Sequence, residues 1–199
     1  MRSRIVLITG RPGSGKSTLG RELSQKLRLP FLARDDVRGG LLFSAGAWSE
    51  SVERIPSGEQ AVSLFLELVE LLARGGASCV VEYVVRANRP EELSRLMAAG
   101  DCVAIMTHCD RALDRFADRN RCDPLIANKA LLAATGYDSV DAHTTNAIER
   151  MRQVERDMLL QFPFPLLEVD TTDGYAPILP EVLEFAVGPS VEAGEVRKS

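Results

Sequence analysis

The segment 10–17 reads GRPGSGKS, a G-x-x-x-x-G-K-S pattern that constrains the fold more than any other feature of this chain. Its glycines let the backbone turn tightly and direct several N–H groups at one anion. The preceding run 4–9 (RIVLIT) is apolar and β-branched, which predicts a buried parallel strand. After the loop, leucines at 19, 23 and 27 repeat every four residues and predict an amphipathic helix.

A strand, a glycine-rich turn and a helix in this order form a phosphate-binding site, because the positive end of the helix dipole adds to the backbone N–H groups. Lys16 can reach the terminal phosphates of a nucleotide, and the Ser17 hydroxyl can ligate Mg²⁺. A glycine-rich turn that binds no ligand is the alternative. The predicted nucleotide-binding residues of the loop are Gly10, Arg11, Pro12, Gly13, Ser14, Gly15, Lys16, Ser17 and Thr18.

The length of 199 residues suits one domain, predicted over 1–187, followed by a loose tail at 188–199 that lacks apolar periodicity. A net charge of −4 provides no overall positive field for nucleic acid or a membrane surface, and no apolar stretch is long enough to span a bilayer. The cysteines form no C-x-x-C pair, so a reducing cytosol fits and zinc or disulfide roles are not expected. Cys109 and Cys122 flank an Arg-rich segment and are predicted to be the more exposed cysteines.

Alternating strands and helices follow the first helix. Four more short apolar runs predict strands at 30–33, 78–84, 102–107 and 165–170. Helices are predicted at 59–74, 90–99, 141–161 and 175–187. This alternation predicts an α/β fold with a parallel sheet covered by helices on both faces. Ligands of such sheets bind beyond the carboxyl ends of the strands, so the residues after each strand are candidates for function.

Residues 34–40 (RDDVRGG) follow the second predicted strand. Asp35 can point toward the γ-phosphate held by the first loop and accept the proton of an attacking hydroxyl. Arg38, one helical turn later, can bind a phosphate or carboxylate of the substrate. The alternative is that Asp35 caps a helix and Arg38 is a solvated charge. Beside a phosphate-binding loop, the functional interpretation is favoured.

Glu82 ends an otherwise apolar strand, where an unpaired carboxylate is costly. Its position suits a second acidic residue that holds Mg²⁺ together with Ser17. An internal ion pair with an arginine is the alternative. Arg86, Asn88 and Arg89 follow at the same rim, where they either meet substrate or form a surface loop.

An arginine-rich segment follows the fourth predicted strand, and its Arg111, Arg115 and Arg119 are spaced by four, which predicts one shared helix face. The segment is predicted to be a lid, at about 110–140, whose arginines close over the phosphates and stabilise the transferring charge. The catalytic role stays open between Arg115, Arg119 and Arg121. A solvated charged face is the alternative.

Three further features carry weaker signals. The loop 170–175 (DTTDGY) can border the adenine through Thr171 and Thr172, or can simply turn the chain. His143 lacks the pattern of a metal site, so ordinary polar contacts are expected for it. The segment 39–58, with Phe43 and Trp48, either lines a substrate pocket or has only a packing role.

Together these residues resemble the adenylate-kinase-like branch of P-loop kinases over about 3–187, with polynucleotide 5′-hydroxyl kinase domains, zeta-toxin kinases and chloramphenicol phosphotransferases as the nearest likeness. The most specific stretches are GRPGSGKST at 10–18 and RDDVR at 34–38. The resemblance implies a P-loop NTPase α/β/α sandwich whose five-stranded parallel sheet has the order 2-3-1-4-5, with an Arg-rich helical lid. It also implies roles for a set of residues: Asp35 as general base, Arg38 on a substrate phosphate, Glu82 with Mg²⁺, Arg115 and Arg119 in the lid, and Thr171 and Thr172 near the base.

The sequence therefore predicts an ATP- and Mg²⁺-dependent kinase that transfers the γ-phosphate to a hydroxyl of a small molecule. The predicted catalytic residues are Lys16, Asp35, Arg38, Arg115 and Arg119, and the predicted metal ligands are Ser17 and Glu82. A nucleic-acid 5′-hydroxyl kinase is the first alternative, which the acidic net charge disfavours. A nucleotide-dependent regulatory NTPase without an acceptor is the second. The residues that choose the acceptor are predicted to lie in 39–58, 84–90 and 120–145.

Overall fold

One all-parallel sheet forms the centre of the protein, which we describe from a computed structural model over residues 2–46, 55–123, 126–158 and 161–188. Its strands have the order β2-β3-β1-β4-β5, which confirms the predicted P-loop topology. The strands are β1 (Arg4–Gly10), β2 (Phe31–Ala33), β3 (Cys79–Glu82), β4 (Asp101–His108) and β5 (Leu166–Asp170).

Helices cover both faces of this sheet. They are α1 (Lys16–Leu27), α2 (Arg34–Ser44), α3 (Gly58–Arg74), α4 (Pro90–Ala99), α5 (Ala112–Cys122), α6 (Lys129–Ala134), α7 (Val140–Asp157) and α8 (Leu179–Val187). The sequence analysis did not mark α2 or α6 as separate helices. Two glycines interrupt the pattern of α2, and α6 is only six residues long, so neither has a strong apolar period. None of the described helices is long and apolar enough to cross a membrane.

The central strand β1 is buried on both faces, as its uninterrupted apolar sequence predicts. Ile5 and Leu7 point into a core shared with α3 and α4. The alternate residues Val6 and Ile8 point into a second core shared with α1 and α8. Because successive side chains of a strand alternate between faces, one short run anchors both helical layers.

The register of the strands brings the candidate residues to one edge of the sheet. Ile8 of β1 lies opposite Glu82 of β3, and Gly10 lies opposite Thr107 of β4. α2 begins directly after β2, so Asp35 stands in its first turn at the same edge. The loop 10–15, Glu82 and Asp35 are therefore neighbours although up to 72 positions separate them in the chain.

One sequence prediction near β4 is wrong. Cys109 is only 2% exposed, whereas Cys122 is exposed as expected. The Cys109 carbonyl accepts a hydrogen bond from the Ala112 N–H in a turn that precedes α5. The same turn leaves Arg111 at the N-cap of α5, where its carbonyl accepts a hydrogen bond from the Arg115 N–H at 3.0 Å, one helical turn before Arg115. Trp48 and positions 189–199 of the predicted tail lie outside the described residues.

Candidate functional site

The glycines of the loop 10–15 adopt backbone conformations that other residues rarely reach. Gly10, Gly13 and Gly15 have φ angles of 130°, 82° and 85°. A Cβ atom on Gly13 would lie 1.9 Å from the carbonyl oxygen of Ala112, and one on Gly10 would lie 2.2 Å from that of Thr107. The loop is therefore pressed against the start of α5 and the end of β4, and only glycine fits there.

Hydroxyl groups from two neighbouring strand ends hold the loop in this shape. The Oγ atoms of Ser14 and Thr107 are 2.6 Å apart, and the Thr107 hydroxyl also lies 3.2 Å from the Thr9 carbonyl oxygen. From the far side of β4, the Thr171 hydroxyl donates to the Ser14 carbonyl at 2.8 Å. Thr171 thus supports the loop from behind through its side chain.

Lys16, at the start of α1, is the buried cation of the site, with 8% exposure. Its Nζ donates to the Arg11 carbonyl at 2.8 Å. Burial lowers the pKa of Lys16 to about 8, while the carboxylates of Glu82 and Asp35 raise it and Arg119 lowers it further. Because the charges of Glu82, Asp35 and Arg119 all affect the Lys16 amine, these side chains surround a common space in front of the loop.

Glu82 closes that space on the β3 side. The Ser17 hydroxyl donates to Glu82 Oε1 at 3.1 Å. Burial raises the pKa of Glu82, and the charge of Lys16 and the bond from Ser17 oppose that rise. No arginine forms an ion pair with Glu82 within the described ranges, so the structure gives no support to the internal ion pair that was its alternative role.

Ser17 and Glu82 provide oxygen atoms of the kind that Mg²⁺ prefers. Among the described residues no cluster of three or more His, Cys, Asp or Glu side chains forms a complete protein-only metal site. Mg²⁺ in nucleotide sites takes few protein ligands and completes its shell with phosphate oxygens and water. The donor set of these two residues therefore fits a nucleotide-bound Mg²⁺.

Asp35 is exposed in the first turn of α2, and its Oδ1 lies 3.0 Å from Nη1 of Arg34. Its charge raises the pKa of Lys16 and of Glu82. The adjacent Asp36 instead forms a 3.5 Å ion pair with Arg21 of α1. Of the two aspartates in the RDDVR stretch, Asp35 is thus the one whose charge acts on the space in front of Lys16.

A cluster of arginines lies on the α2 side of Asp35. Burial lowers the pKa of Arg38, Arg34 and Arg150 lower it further, and Asp35 raises it. Within the part of the chain that the structure describes, neither Arg38 nor Arg150 forms an ion pair. Burial also lowers the pKa of His143, followed by the charges of Arg150 and Arg38.

Arg150 is a site residue that sequence reasoning missed. It lies in the third turn of α7, outside every segment in which acceptor contacts were predicted. It belongs to no motif, and only the packing of α7 brings it near Arg38. A charged residue on a polar helix carries no local signal that distinguishes it from a solvated one.

The two lid arginines have different surroundings. Arg115 donates from Nη1 to the Thr171 carbonyl at 3.1 Å and from Nη2 to the Thr172 carbonyl at 2.9 Å. Arg119 packs over the Phe116 ring at 5.5 Å and its charge reaches Lys16. Arg121 pairs with Asp118 at 3.3 Å, and so has a local partner on its own helix.

A cavity of about 350 Å³ opens between α2, α3, α4 and the end of β3. Arg34 connects this cavity with the sheet edge that carries the candidate residues, because it lines the cavity and pairs with Asp35. Charged groups of both signs line it beside a few apolar side chains. They include Arg34, Arg86, Arg89, Arg95, Glu59, Glu91 and Glu92, together with Tyr83, Val62 and Leu66.

Known proteins resemble this chain over most of its length. Residues 6–136 match the family described as AAA domain. A shikimate kinase from Vibrio vulnificus (strain YJ016) is 34% identical over 128 residues, which cover 62% of this chain and 69% of that protein.

Two solved structures share the fold. A shikimate kinase from Acinetobacter baumannii in complex with shikimate superimposes with a TM-score of 0.56 at 15% identity, over 96% of this chain and 97% of that one. A gluconokinase from Sinorhizobium meliloti 1021 gives a TM-score of 0.52 at 16% identity, over 94% of this chain and 92% of that one. Both place the observed sheet and helices in the P-loop kinase fold.

Proposed function

This chain belongs to the AAA domain family and is a nucleotide-using phosphotransferase with an alcohol acceptor, and on that premise we propose that it transfers the γ-phosphate of ATP to a hydroxyl of a small molecule. One observation carries the proposal. The charges of Asp35 and Glu82 act on the same buried amine of Lys16, in front of a loop that only glycine can form. Phosphoryl transfer needs this combination of a cation, a metal-ligating acid and a base.

On the donor side, the backbone N–H groups of the loop, with Thr18 after it, hold the phosphates of ATP at the N-terminus of α1. Lys16 neutralises charge on the β- and γ-phosphates. Ser17 and Glu82 would hold Mg²⁺, which would screen the phosphate charge and orient the phosphoryl group. Their hydrogen bond of 3.1 Å aligns the hydroxyl with the carboxylate before the nucleotide arrives.

On the acceptor side, Asp35 takes the proton of the attacking hydroxyl. The acceptor oxygen forms a bond to the γ-phosphorus, the bond from that phosphorus to the β–γ bridging oxygen breaks, and ADP leaves. Arg34, which lines the cavity, forms the ion pair with the Asp35 carboxylate. Arg38, with no ion pair in the described ranges, binds an anionic group of the acceptor.

The two lid arginines have different proposed roles. The charge of Arg119 acts on Lys16, and this arginine stabilises the transferring phosphoryl group. Arg115 instead fixes the carbonyls of Thr171 and Thr172, so that the loop after β5 is ordered beside the nucleotide base. We propose that the segment at about 110–140, led by α5, closes over ATP and excludes water, which suppresses hydrolysis.

The size of the cavity supports a small acceptor. About 350 Å³ lies within the range of small-molecule sites, and its mixed charges differ from the continuous positive track that a nucleic-acid backbone requires. The relatives named above are kinases whose names state shikimate and gluconate, both hydroxylated small molecules. The likeness of RDDVR to the polynucleotide kinase motif makes a 5′-hydroxyl oligonucleotide the acceptor to test against them.

The test is an acceptor screen with γ-labelled ATP and Mg²⁺, using shikimate, D-gluconate, other sugars, nucleosides, hydroxylated antibiotics and a 5′-hydroxyl oligonucleotide. We expect label transfer to a small molecule, lowered about 10²–10⁴-fold in rate in Asp35→Asn. Transfer to the oligonucleotide alone, with salt-sensitive binding, would replace the small-molecule acceptor with nucleic acid. ATP hydrolysis without transfer to any alcohol would overturn the proposed reaction in favour of a regulatory NTPase.

A further inference from the structure

Glu92 places a buried carboxylate in the wall of the acceptor cavity. Its side chain is 7% exposed and lies in the first turn of α4, and it lines the cavity. A carboxylate this buried is costly unless hydrogen-bond donors reach its oxygens. The partners of its two oxygens therefore show what the site is built to hold.

One oxygen of this carboxylate is fixed by the protein. The Tyr83 hydroxyl donates to Glu92 Oε2. Tyr83 itself is 6% exposed, stacks against Phe65 at 5.5 Å between ring centroids, and immediately follows the proposed metal ligand Glu82. This packing fixes the position of the phenol that donates to Glu92.

The other oxygen has no hydrogen-bond donor among the described residues. The cation beside Glu92 Oε1 is Arg89, whose Nη1 lies 4.0 Å away, beyond hydrogen-bond distance. Arg89 directs its Nη2 to Glu59 instead, at 3.2 Å. Glu92 Oε1 is thus an acceptor with spare capacity on the wall of the cavity.

A purely structural role accounts poorly for this arrangement. An acidic residue in the first turn of a helix favours the dipole, but the neighbouring Glu91 does this from an exposed position without any burial cost. A buried acceptor oriented by a tyrosine is the arrangement by which proteins select a hydroxyl, because an analogue that lacks the hydroxyl leaves the buried oxygen unpaired.

We propose that Glu92 is a specificity-determining residue, whose Oε1 accepts a hydrogen bond from an acceptor hydroxyl other than the one that is phosphorylated. Tyr83 is its positioning residue. The acceptor class is therefore a polyhydroxylated small molecule, with one hydroxyl at Asp35 and a second at Glu92. This inference rests on the proposed function, since it deepens the description of the same acceptor site.

The experiment compares matched acceptors and matched variants. Shikimate, D-gluconate and D-glucose are each paired with a mono-deoxy analogue, and n-butanol serves as the monohydroxy alcohol, all with γ-labelled ATP. The variants are Glu92→Gln, Tyr83→Phe and the control Glu181→Gln, which makes the same charge change at the exposed third residue of α8, outside the lining of the cavity.

We expect transfer to a polyol, with wild-type kcat/KM at least tenfold higher than for the analogue that lacks the second hydroxyl. Glu92→Gln should raise KM for the polyol about 10- to 100-fold with little change in kcat, and should leave the deoxy analogue unaffected. Tyr83→Phe should act in the same direction by roughly 3-fold, and Glu181→Gln should match the wild type.

Failure of this inference differs from failure of the proposed function. Equal losses for the polyol and its deoxy analogue would show a structural role for Glu92 and overturn the inference. Transfer to n-butanol as efficient as to any polyol, unaltered in Glu92→Gln, would also overturn it while the kinase reaction stands. Transfer to no alcohol at all would overturn both. If Glu92→Gln does not fold, as shown by its melting curve, Tyr83→Phe tests the same loss of discrimination.

Discussion

The proposed donor and acceptor halves of the site differ in whether main chain or side chains form them. On the donor side, backbone meets backbone so closely that a Cβ on Gly13 would approach the Ala112 carbonyl oxygen to 1.9 Å. On the acceptor side, Gly39 and Gly40 have no atom within 4 Å of an added Cβ, and Asp35 is exposed. The donor half is fixed by main-chain geometry, and the acceptor half is composed of side chains.

This difference has a functional consequence. A site made of backbone N–H groups binds phosphate, which is the same in every nucleotide. A side chain added to a glycine of the loop would obstruct this binding. A site made of side chains around an open cavity can change its ligand by single substitutions without disturbing the loop. We infer that this fold keeps one donor and varies its acceptor, and the following experiments test that division.

The largest effect is expected from Asp35→Asn, which should lower kcat by about 10²–10⁴ because the amide cannot accept the hydroxyl proton. Nucleotide affinity should stay within about threefold of the wild type, measured by titration with a fluorescent ATP analogue. Asp36→Asn is the matched control, since Asp36 pairs with Arg21 instead of acting on Lys16. Loss of nucleotide binding in Asp35→Asn would show that Asp35 also belongs to the donor half, and would contradict its assignment to the acceptor half alone.

The next largest effects are expected at the two proposed lid arginines, whose substitutions should change different kinetic parameters. Arg119→Ala should lower kcat by about 10²–10³, the cost of removing one group that stabilises transferring charge. Arg115→Ala should mainly raise KM for ATP, by roughly tenfold, because it releases the Thr171 and Thr172 carbonyls. Steady-state kinetics at saturating acceptor distinguish the two. A larger loss of kcat in Arg115→Ala than in Arg119→Ala would reverse these roles.

The donor half was largely predictable from sequence, because its information is local. The pattern G-x-x-x-x-G-K-S carries the glycines, the cation and the hydroxyl within eight positions, and the flanking strand and helix fix its placement. The sheet order also agreed, since the resemblance to P-loop kinases implied it. Asp35 and Glu82 could be placed at the site because each follows or ends a predicted strand.

The acceptor half was predictable only in part, because its residues meet through packing. Arg150 reaches Arg38 from α7, and Glu92 reaches the cavity from α4, and both lie outside the segments predicted to choose the acceptor. Neither stands in a motif, and Glu92 looks like an ordinary acidic residue after Pro90. Their proposed roles depend on which face of α4 and of α7 packs toward the site, and no local sequence pattern predicts this.

The pH dependence of nucleotide binding sharpens the description of the donor half. Burial lowers the pKa of Lys16 to about 8, so in the free protein the amine loses its proton above that pH. Binding of ATP favours the charged form, and binding above pH 8 must therefore take up a proton. The affinity for ATP should be level from pH 6.5 to 7.5 and fall by up to about tenfold per unit above pH 8.

The control for this titration is Lys16→Arg, whose guanidinium stays charged throughout and should show a nearly level profile from pH 7 to 9.5. The measurement is the dissociation constant for a fluorescent ATP analogue at constant ionic strength. A wild-type profile as flat as that of the variant would mean that Lys16 keeps its proton in the free protein, and that its burial is less costly than its position indicates.

The smallest effect tests whether α7 contributes to the acceptor half. Arg150→Ala should raise KM for an anionic acceptor such as shikimate or D-gluconate by about 2- to 10-fold, because one exposed charge beside Arg38 is lost. KM for a neutral acceptor such as D-glucose and KM for ATP should not change. Arg152→Ala is the matched control, since Arg152 is exposed on the same helix. If both variants weaken the anionic acceptor equally, general attraction by a basic surface explains the effect. A change confined to Arg150→Ala would extend the proposed acceptor half to α7, none of whose described side chains lines the cavity.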